Sequence, residues 1–427
     1  MIGPGTLERL LDASPYNIVR LILPAAARDT GHGIAPATDD RSPGDDSSGE
    51  VAARQLSPGQ VAAGRLSAWL AEGALAVDDS PALYVYEQRA ADWVQRGLIG
   101  LVAVGTDAVH PHEGVMPGPV AGRRELMKDT RSNLEPILLV YNGGAGGVGS
   151  ERSVARSGGP AAPGDASRLA DLAADSQAPL ACGVTDDGVT HRLWAVTDPD
   201  VQAAIAADLA TRTALIADGH HRYAAYRELR AQERGTEGDS GPWDYGLAFL
   251  VDADEYPLRL GAIHRVLPRL PLTEAVRLAS VAFTVSAVAA AAAFDRLAAA
   301  GESGTAFLLA GRDGYWLLTG PDQRLLEASM PPDASPRWRA LDAAVMRELL
   351  LARLWSIKDN ERDVLISHDA GEAVRMAADS GGTAVICNPM PLAAVIDIAA
   401  HGEKVPRKST SFGPKPLTGL VLRSIDA

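Results

Sequence analysis

The sequence predicts an α+β or mixed α/β protein, and three observations carry that prediction. Strand-like and helix-like segments alternate along most of the 427 residues without a regular βαβ repeat. The strand candidates are short apolar runs, whereas several helix candidates open on capping residues. Hydrophobic residues make up 46% of the chain, enough over this length for a substantial core and two or three domains.

Taken in order, Tyr16–Leu23 (YNIVRLIL) reads as a strand. Ser57–Leu75 reads as a helix with Ser57 as N-cap, Pro58 at the first position and Gln60 in capping-box register. Strands follow at Leu83–Gln88 and Leu98–Val104, then a helix at Pro119–Thr130 and strands at Glu135–Tyr141 and Arg192–Val196. Asp198-Pro199 opens a helix to about Ala210, followed by a strand at Thr213–Ala217 and a helix at Gly219–Glu233. Further strands are expected at Tyr245–Val251, Leu258–Ile263, Thr305–Leu309 and Tyr315–Thr319, the last two joined by the hairpin turn Ala-Gly-Arg-Asp-Gly. The Ala-rich run Val285–Ala300 is short and interrupted by Asp295 and Arg296, so it reads as an ordinary helix and not a membrane span. Helices at Leu341–Leu354 and Gly371–Ala378, a strand at Thr383–Cys387 and a helix at Leu392–His401 precede a polar, Pro-punctuated tail.

Two stretches interrupt this pattern. Arg28–Glu50 is rich in Asp, Ser, Gly and Pro, and Gly143–Asp165 is rich in Gly. Neither has the apolar area to offset the entropy of ordering, so both are expected to be disordered inserts. Gly143–Gly149 lacks the GK[ST] ending and the following helix that a phosphate-cradling loop requires. The implied organisation is an N-terminal α/β region (1–27 and 51–142), a core (166–270), an α/β subdomain with a hairpin (271–360) and a C-terminal segment (361–427).

With 40 Lys+Arg against 54 Asp+Glu, the net charge of −14 argues against nucleic acid and anionic membranes as partners. Cys182 and Cys387 are far apart and not at metal-ligand spacing, which excludes a disulfide scaffold and a Cys-based zinc site. No basic segment followed by an apolar run opens the chain, and a cytoplasmic protein is expected. Nothing in the sequence fixes the oligomeric state.

Three constellations carry chemistry. In Thr213–Tyr226 (TALIADGHHRYAAY) an apolar strand ends at Asp218-Gly219, and a helix starts with His220, His221, Arg222 and Tyr223. Free N–H groups at a helix start, two imidazoles and a guanidinium together favour a phosphate or carboxylate. Asp218 can bind a cation, accept a proton or orient a histidine. In DAVHPHEGVMPGP, His110 and His112 share a face of an extended segment and Glu113 adds a carboxylate, which suits either metal ligation or a general base. In VPRKSTSFGPKPLTGLVLR, Arg407, Lys408, Ser409, Thr410, Lys415 and Arg423 gather positive charge and hydroxyls in an acidic protein, while Phe412, Leu417 and Leu420 argue that the tail docks on the core. Arg131 and Asn133 are further polar candidates, with helix capping and turn formation the competing explanation.

The segments SPYNIVRLILP, HPHEGVMPGP with TRSNLEPILLVY, LIADGHHRYAAY, and NPMPLAAVIDIAAHGEKVPRKSTSFGPKPLTGLV occur in this order. Together they resemble the bacterial and archaeal domain-of-unknown-function family 1015. Members of that family usually carry an earlier strand and a Pro-Pro-Tyr-Asp-Val-type motif, so the resemblance implies a start upstream of Met1. An acidic residue common after the HE…P motif is replaced here by Gly122.

The DGHHR turn also resembles that of ParB/sulfiredoxin-like proteins, including kinases of free serine. This resemblance implies a ParB/sulfiredoxin-like nucleotide-binding core and an association with serine metabolism. Carried over by position, Asp218 to Arg222 would hold the phosphates of ATP or ADP with Mg²⁺. Glu113 is the candidate base on chemical grounds, and Lys408, Ser409, Thr410 and Lys415 would neutralise the transferred charge. The expected function is a small-molecule phosphotransferase acting on serine or a similar hydroxy amino acid. The alternatives are a metal-dependent hydrolase or phosphatase built on His110, His112, Asp218, His220 and His221, and a non-enzymatic nucleotide-binding regulator.

Overall fold

The computed structural model describes residues 4–24, 56–144, 165–234, 240–360 and 362–426. The stretch 28–50 and nearly all of 143–165, expected to be disordered, lie outside the described residues.

Nine strands precede residue 253: β1 (Leu83–Arg89), β2 (Val94–Ala103), β3 (Val109–His110), β4 (Ser132–Asn133), β5 (Ile137–Tyr141), β6 (Ala181–Val184), β7 (Thr190–Val196), β8 (Ala214–Asp218) and β9 (Tyr245–Asp252). Eight of them form one mixed sheet in the order β3-β8-β5-β9-β2-β1-β7-β6. Every residue of β5 is buried, as befits a strand covered on both faces. Between β5 and β8 the register shifts, with Leu138 opposite Asp218 but Leu139 opposite Ile216. Ala217 is therefore a bulge residue, which re-aims the end of β8 just before the DGHHR turn.

The remaining strands are β10 (Arg259–Gly261), β11 (His264–Leu267), β12 (Thr284–Val288), β13 (Ala306–Gly311), β14 (Gly314–Thr319), β15 (Leu365–Ser367), β16 (Thr383–Cys387), β17 (Ser411–Gly413) and β18 (Arg423–Ser424). Six form a second, antiparallel sheet in the order β12-β14-β13-β16-β11-β15. One hydrophobic cluster joins the two sheets, running from Tyr86, Leu138 and Phe249 of the first to Phe307, Leu309 and Val385 of the second. The protein is thus mixed α/β with more than one sheet.

Most expected elements are present. Ser57 caps the helix Pro58–Ala71 through the reciprocal bonds of a capping box with Gln60. The hairpin β13–β14 turns at Arg312-Asp313. Two expectations are corrected. Tyr16–Leu23 is not a strand, because Asn17 Oδ1 accepts from Val19 N–H at 3.1 Å and starts the short helix Val19–Ile22. That helix buries Leu21 against Trp69 and Ala62, so its apolar run serves a helix–helix contact. Val285–Ala300 is not one helix: its β-branched start joins β14 as β12, and the helix begins only at Ala293. The helix expected at Leu341–Leu354 is α-helical over Asp342–Val345 and widens into a π-helix over Met346–Leu354. No described helix is long and apolar enough to cross a membrane.

The C-terminal segment docks, as its apolar residues require. Val405, Phe412 and Ile425 are buried, β17 pairs with β10, and β18 pairs with β4.

Candidate functional site

The DGHHR turn sits where β8 ends and the helix His220–Glu233 begins. Gly219 adopts φ +96°, and a Cβ there would lie 2.8 Å from Ile137 Cγ2 and 3.2 Å from Arg222 Nε. The turn therefore requires glycine for both conformation and space.

Arg222 faces back into this turn. It donates to Asp218 Oδ2 at 2.6 Å and to the Pro136 carbonyl, and it lies 3.3 Å from Glu135 Oε2. With only 16% of its side chain exposed, it braces the turn from within. The other oxygen of Asp218 meets Lys415 Nζ at 2.6 Å, a contact that brings the C-terminal segment onto the strand end. Burial is the largest single influence on Asp218 and raises its pKa, but Arg222 and Lys415 outweigh it and hold the carboxyl below its ordinary value.

The two histidines of the turn divide. His220 is 8% exposed, and its Nε2 is buried without a hydrogen-bond partner among the described residues. Its ring lies edge-to-face on His112, centroids 4.5 Å apart. Burial, together with His112, drives the His220 pKa well below the usual imidazole range. His112 is fully buried, touches Thr410 Oγ1 through Nε2 at 3.0 Å, and packs on Phe412. Burial lowers its pKa to about 4, so this imidazole is neutral at physiological pH. His221 accepts the Met116 N–H at Nε2 (3.1 Å), and burial lowers its pKa too.

Glu113 Oε1 accepts the backbone N–H of Lys408 at 2.9 Å, which ties the HPHEG loop to the basic segment. Lys408 is exposed and stands at φ +53°. Ser409 is buried and donates to the Pro406 carbonyl at 2.6 Å. The structure thus brings together Glu113, His112, Asp218, Gly219, His220, His221, Arg222, Lys408, Thr410 and Lys415 from three distant segments.

Other candidates stand apart from this cleft. Tyr223 is buried in the core beside Tyr226 and Ile216, its hydroxyl accepting from Gly105 N–H. Arg131, left-handed at φ +48°, caps its helix and pairs with Asp426 at 2.7 Å. Asn133 is buried and accepts from Leu247 N–H of β9 and from Arg423 Nη1 of β18, bonds that join β4 to both strands. His110 lies on β3 opposite Leu215. Among the described residues, no group of three His, Cys, Asp or Glu is placed to hold a metal ion.

Three residues that sequence reasoning passed over support the cleft. Arg265, 1% exposed on β11, donates to the carbonyls of Lys408 at 2.9 Å and Arg407 at 3.0 Å, fixing the basic loop from beneath. Its signal was an arginine inside an otherwise apolar strand. His368 Nδ1 lies 3.0 Å from Ser411 Oγ, and burial followed by Lys415 and Lys408 lowers its pKa. Tyr86, fully buried, accepts the Leu417 N–H at 3.0 Å and lies 2.7 Å from His191 Nδ1, pinning the chain two residues beyond Lys415.

Fold and site thus define a mixed α/β protein in which imidazoles, lysines and carboxylates cluster at a strand-to-helix turn. The sequence profile of the family described as Protein of unknown function (DUF1015) matches residues 1–156 and 158–344, and the chain belongs to that family. No curated protein matches it. Among solved structures, the chain is similar to a free serine kinase in complex with AMP, at 15% identity and a TM-score of 0.36, over 74% of this chain and 87% of that one. It is similar to a conserved hypothetical protein from Pyrococcus furiosus at 13% identity and a TM-score of 0.36, over 77% and 96% of the two chains. A truncated SbnI from Staphylococcus aureus gives 11% identity and a TM-score of 0.37, over 75% and 85%.

Proposed function

We propose that this protein is a small-molecule phosphotransferase that takes a nucleotide phosphate donor and acts on serine or a similar hydroxy amino acid. The observation that carries this reading is the meeting of three segments at the Asp218–Arg222 turn, with a buried, unbonded His220 Nε2 beside neutral His112. A helix start with free N–H groups, rimmed by Lys408, Lys415 and His221, offers dipole, donors and charge to phosphate oxygens.

In this reading Glu113 takes the proton of the acceptor hydroxyl. The acceptor oxygen bonds to phosphorus as the bond from phosphorus to the nucleotide oxygen breaks, and the leaving oxygen carries away the electron pair. Lys415 and Lys408 offset the charge spread over the transferred group. Lys415 reaches the phosphates by exchanging its contact with Asp218, which its 58% exposure permits. Mg²⁺ needs only one or two carboxylates when phosphates supply the rest of its shell. Asp218 fits that requirement, and the ion would neutralise phosphate charge when bound.

Phosphorus NMR with ATP or ADP, Mg²⁺ and serine tests the reading. Phosphoserine should form, and its rate should fall at least about tenfold in Lys415→Met, about 1.4 kcal/mol of lost stabilisation. No phosphoserine from either nucleotide would overturn the enzyme. Nucleotide binding without turnover would leave the non-enzymatic regulator.

A further inference from the structure

A cavity of about 520 Å³ lies beside the second sheet, and apart from Ser409 at its edge none of its lining residues enters the phosphotransferase reading. Its volume falls within the range of small-molecule sites. Met346, Met390 and Leu341 give it apolar walls, and Asp342, Thr305 and Asn388 give it polar ones.

Asp342 is the informative residue. It begins the helix that continues to Leu354, where the positive helix end favours a carboxylate. Burial raises its pKa, the Thr305 hydroxyl lowers it, and no Lys or Arg pairs with it among the described residues. The other charged group of the lining, Arg337, is already met by Glu403 at 2.6 Å and Asp397 at 3.3 Å. The lining, with the partners of Arg337, thus carries excess negative charge. A carboxylate facing a cavity without a counter-ion is costly unless a ligand supplies one.

Two further features make this a built pocket. The Asn388 amide donates to the Leu297 carbonyl at 3.1 Å, which fixes the side chain at the wall. The π-helical stretch starts at Met346, on the cavity wall itself, and π-turns in helices are frequent at functional sites.

We infer that this cavity binds a small organic cation, a primary amine on a short apolar stem, with the ammonium on Asp342 and the stem between Met346 and Met390. The site stands independently of the nucleotide reading, although Ser409, one residue before the Thr410 that touches His112, lines its edge.

The test uses the full chain labelled at the methionine methyls, whose seven resonances include Met346 and Met390. 4-Aminobutan-1-ol should shift these two saturably, whereas butan-1-ol and 4-hydroxybutanoate should not. Asp342→Asn should weaken amine binding at least about tenfold, the scale of one lost charge contact. Ala394→Phe, which fills the cavity and leaves Asp342 in place, should abolish it and guards against a folding defect in the first variant. Equal shifts with the neutral alcohol, unchanged binding in Asp342→Asn, or no shift at either methionine would overturn the inference.

Discussion

The two sides of the cleft are built by different means. The DGHHR turn is held partly by its own neighbours: Arg222 reaches Asp218 four residues away, Gly219 supplies the left-handed step, and Ala217 bulges to aim the strand end, while the Pro136 carbonyl anchors Arg222 from 86 residues away. The C-terminal side has one local bond, from Ser409 to the Pro406 carbonyl, and otherwise depends on distant partners. Lys408 and Arg407 are held by Arg265, Lys408 also by Glu113, and Leu417 by Tyr86, partners 142 to 331 residues away in the chain. The turn draws part of its geometry from neighbours in sequence, whereas the basic segment is placed mainly by completed tertiary structure. The rigid side presents donors, and the tethered side brings movable charge.

The sharpest way to break this contrast is Arg265→Ala. Two carbonyls lose a buried, charged donor, and destabilisation of about 3 kcal/mol or more is expected. Urea unfolding measures the loss, and hydrogen exchange should localise the loosening to residues 405–413. An unchanged midpoint would remove Arg265 from the account. On the rigid side, Gly219→Ala should cost about 1–3 kcal/mol through its φ and the contact with Ile137. Here the perturbation should stay near β8, and spread into the C-terminal segment would contradict the separation.

Acid separates the sides differently. Unfolded imidazoles take protons near pH 6.5, but folded His112 does so only near pH 4 and His220 also well below its ordinary value. Between those limits the unfolded chain binds more protons, so stability falls as pH drops from about 6.5 and levels off for His112 below about 4. Asp218 acts in the same direction at lower pH: its contribution is present above the unfolded carboxylate value and lost as pH falls through its depressed folded one. Urea midpoints that stay flat from pH 7 to 4 would be incompatible with buried neutral imidazoles.

Tyr86→Phe should cost about 1 kcal/mol, since Leu417 N–H loses its acceptor in a partly buried setting. Smallest is Lys415→Met, whose stability should change by less than about 1 kcal/mol because the lysine is largely exposed. Its effect should show instead as a rise in the Asp218 pKa, read by carboxyl NMR. A large change in stability with no titration shift would make Lys415 a brace like Arg222.

This contrast also explains what the sequence discloses. The turn was legible because its signals are local: an apolar strand, a glycine, and helix-starting polar residues, all between Ala214 and Arg222. The capping box at Ser57 was legible for the same reason. The roles of Arg222 and Tyr223 were not, since composition cannot say whether an arginine faces a ligand or the Pro136 carbonyl, or that a tyrosine on the same helix turns to the core. Arg265 and Tyr86 were missed because each acts across more than a hundred residues. Tyr16–Leu23 misled because a short apolar run satisfies either period, and the turn that Asn17 Oδ1 makes with Val19 N–H precedes a helix here.

The contact between His112 and Thr410 spans 298 positions of the chain. At about 5–20 residues per second, a ribosome takes roughly 15–60 s to make the second partner after the first. During that interval the turn can fold on its sheet, but the cleft lacks its cationic wall. The growing polypeptide therefore cannot assemble this cluster until the segment that carries Thr410 has been made.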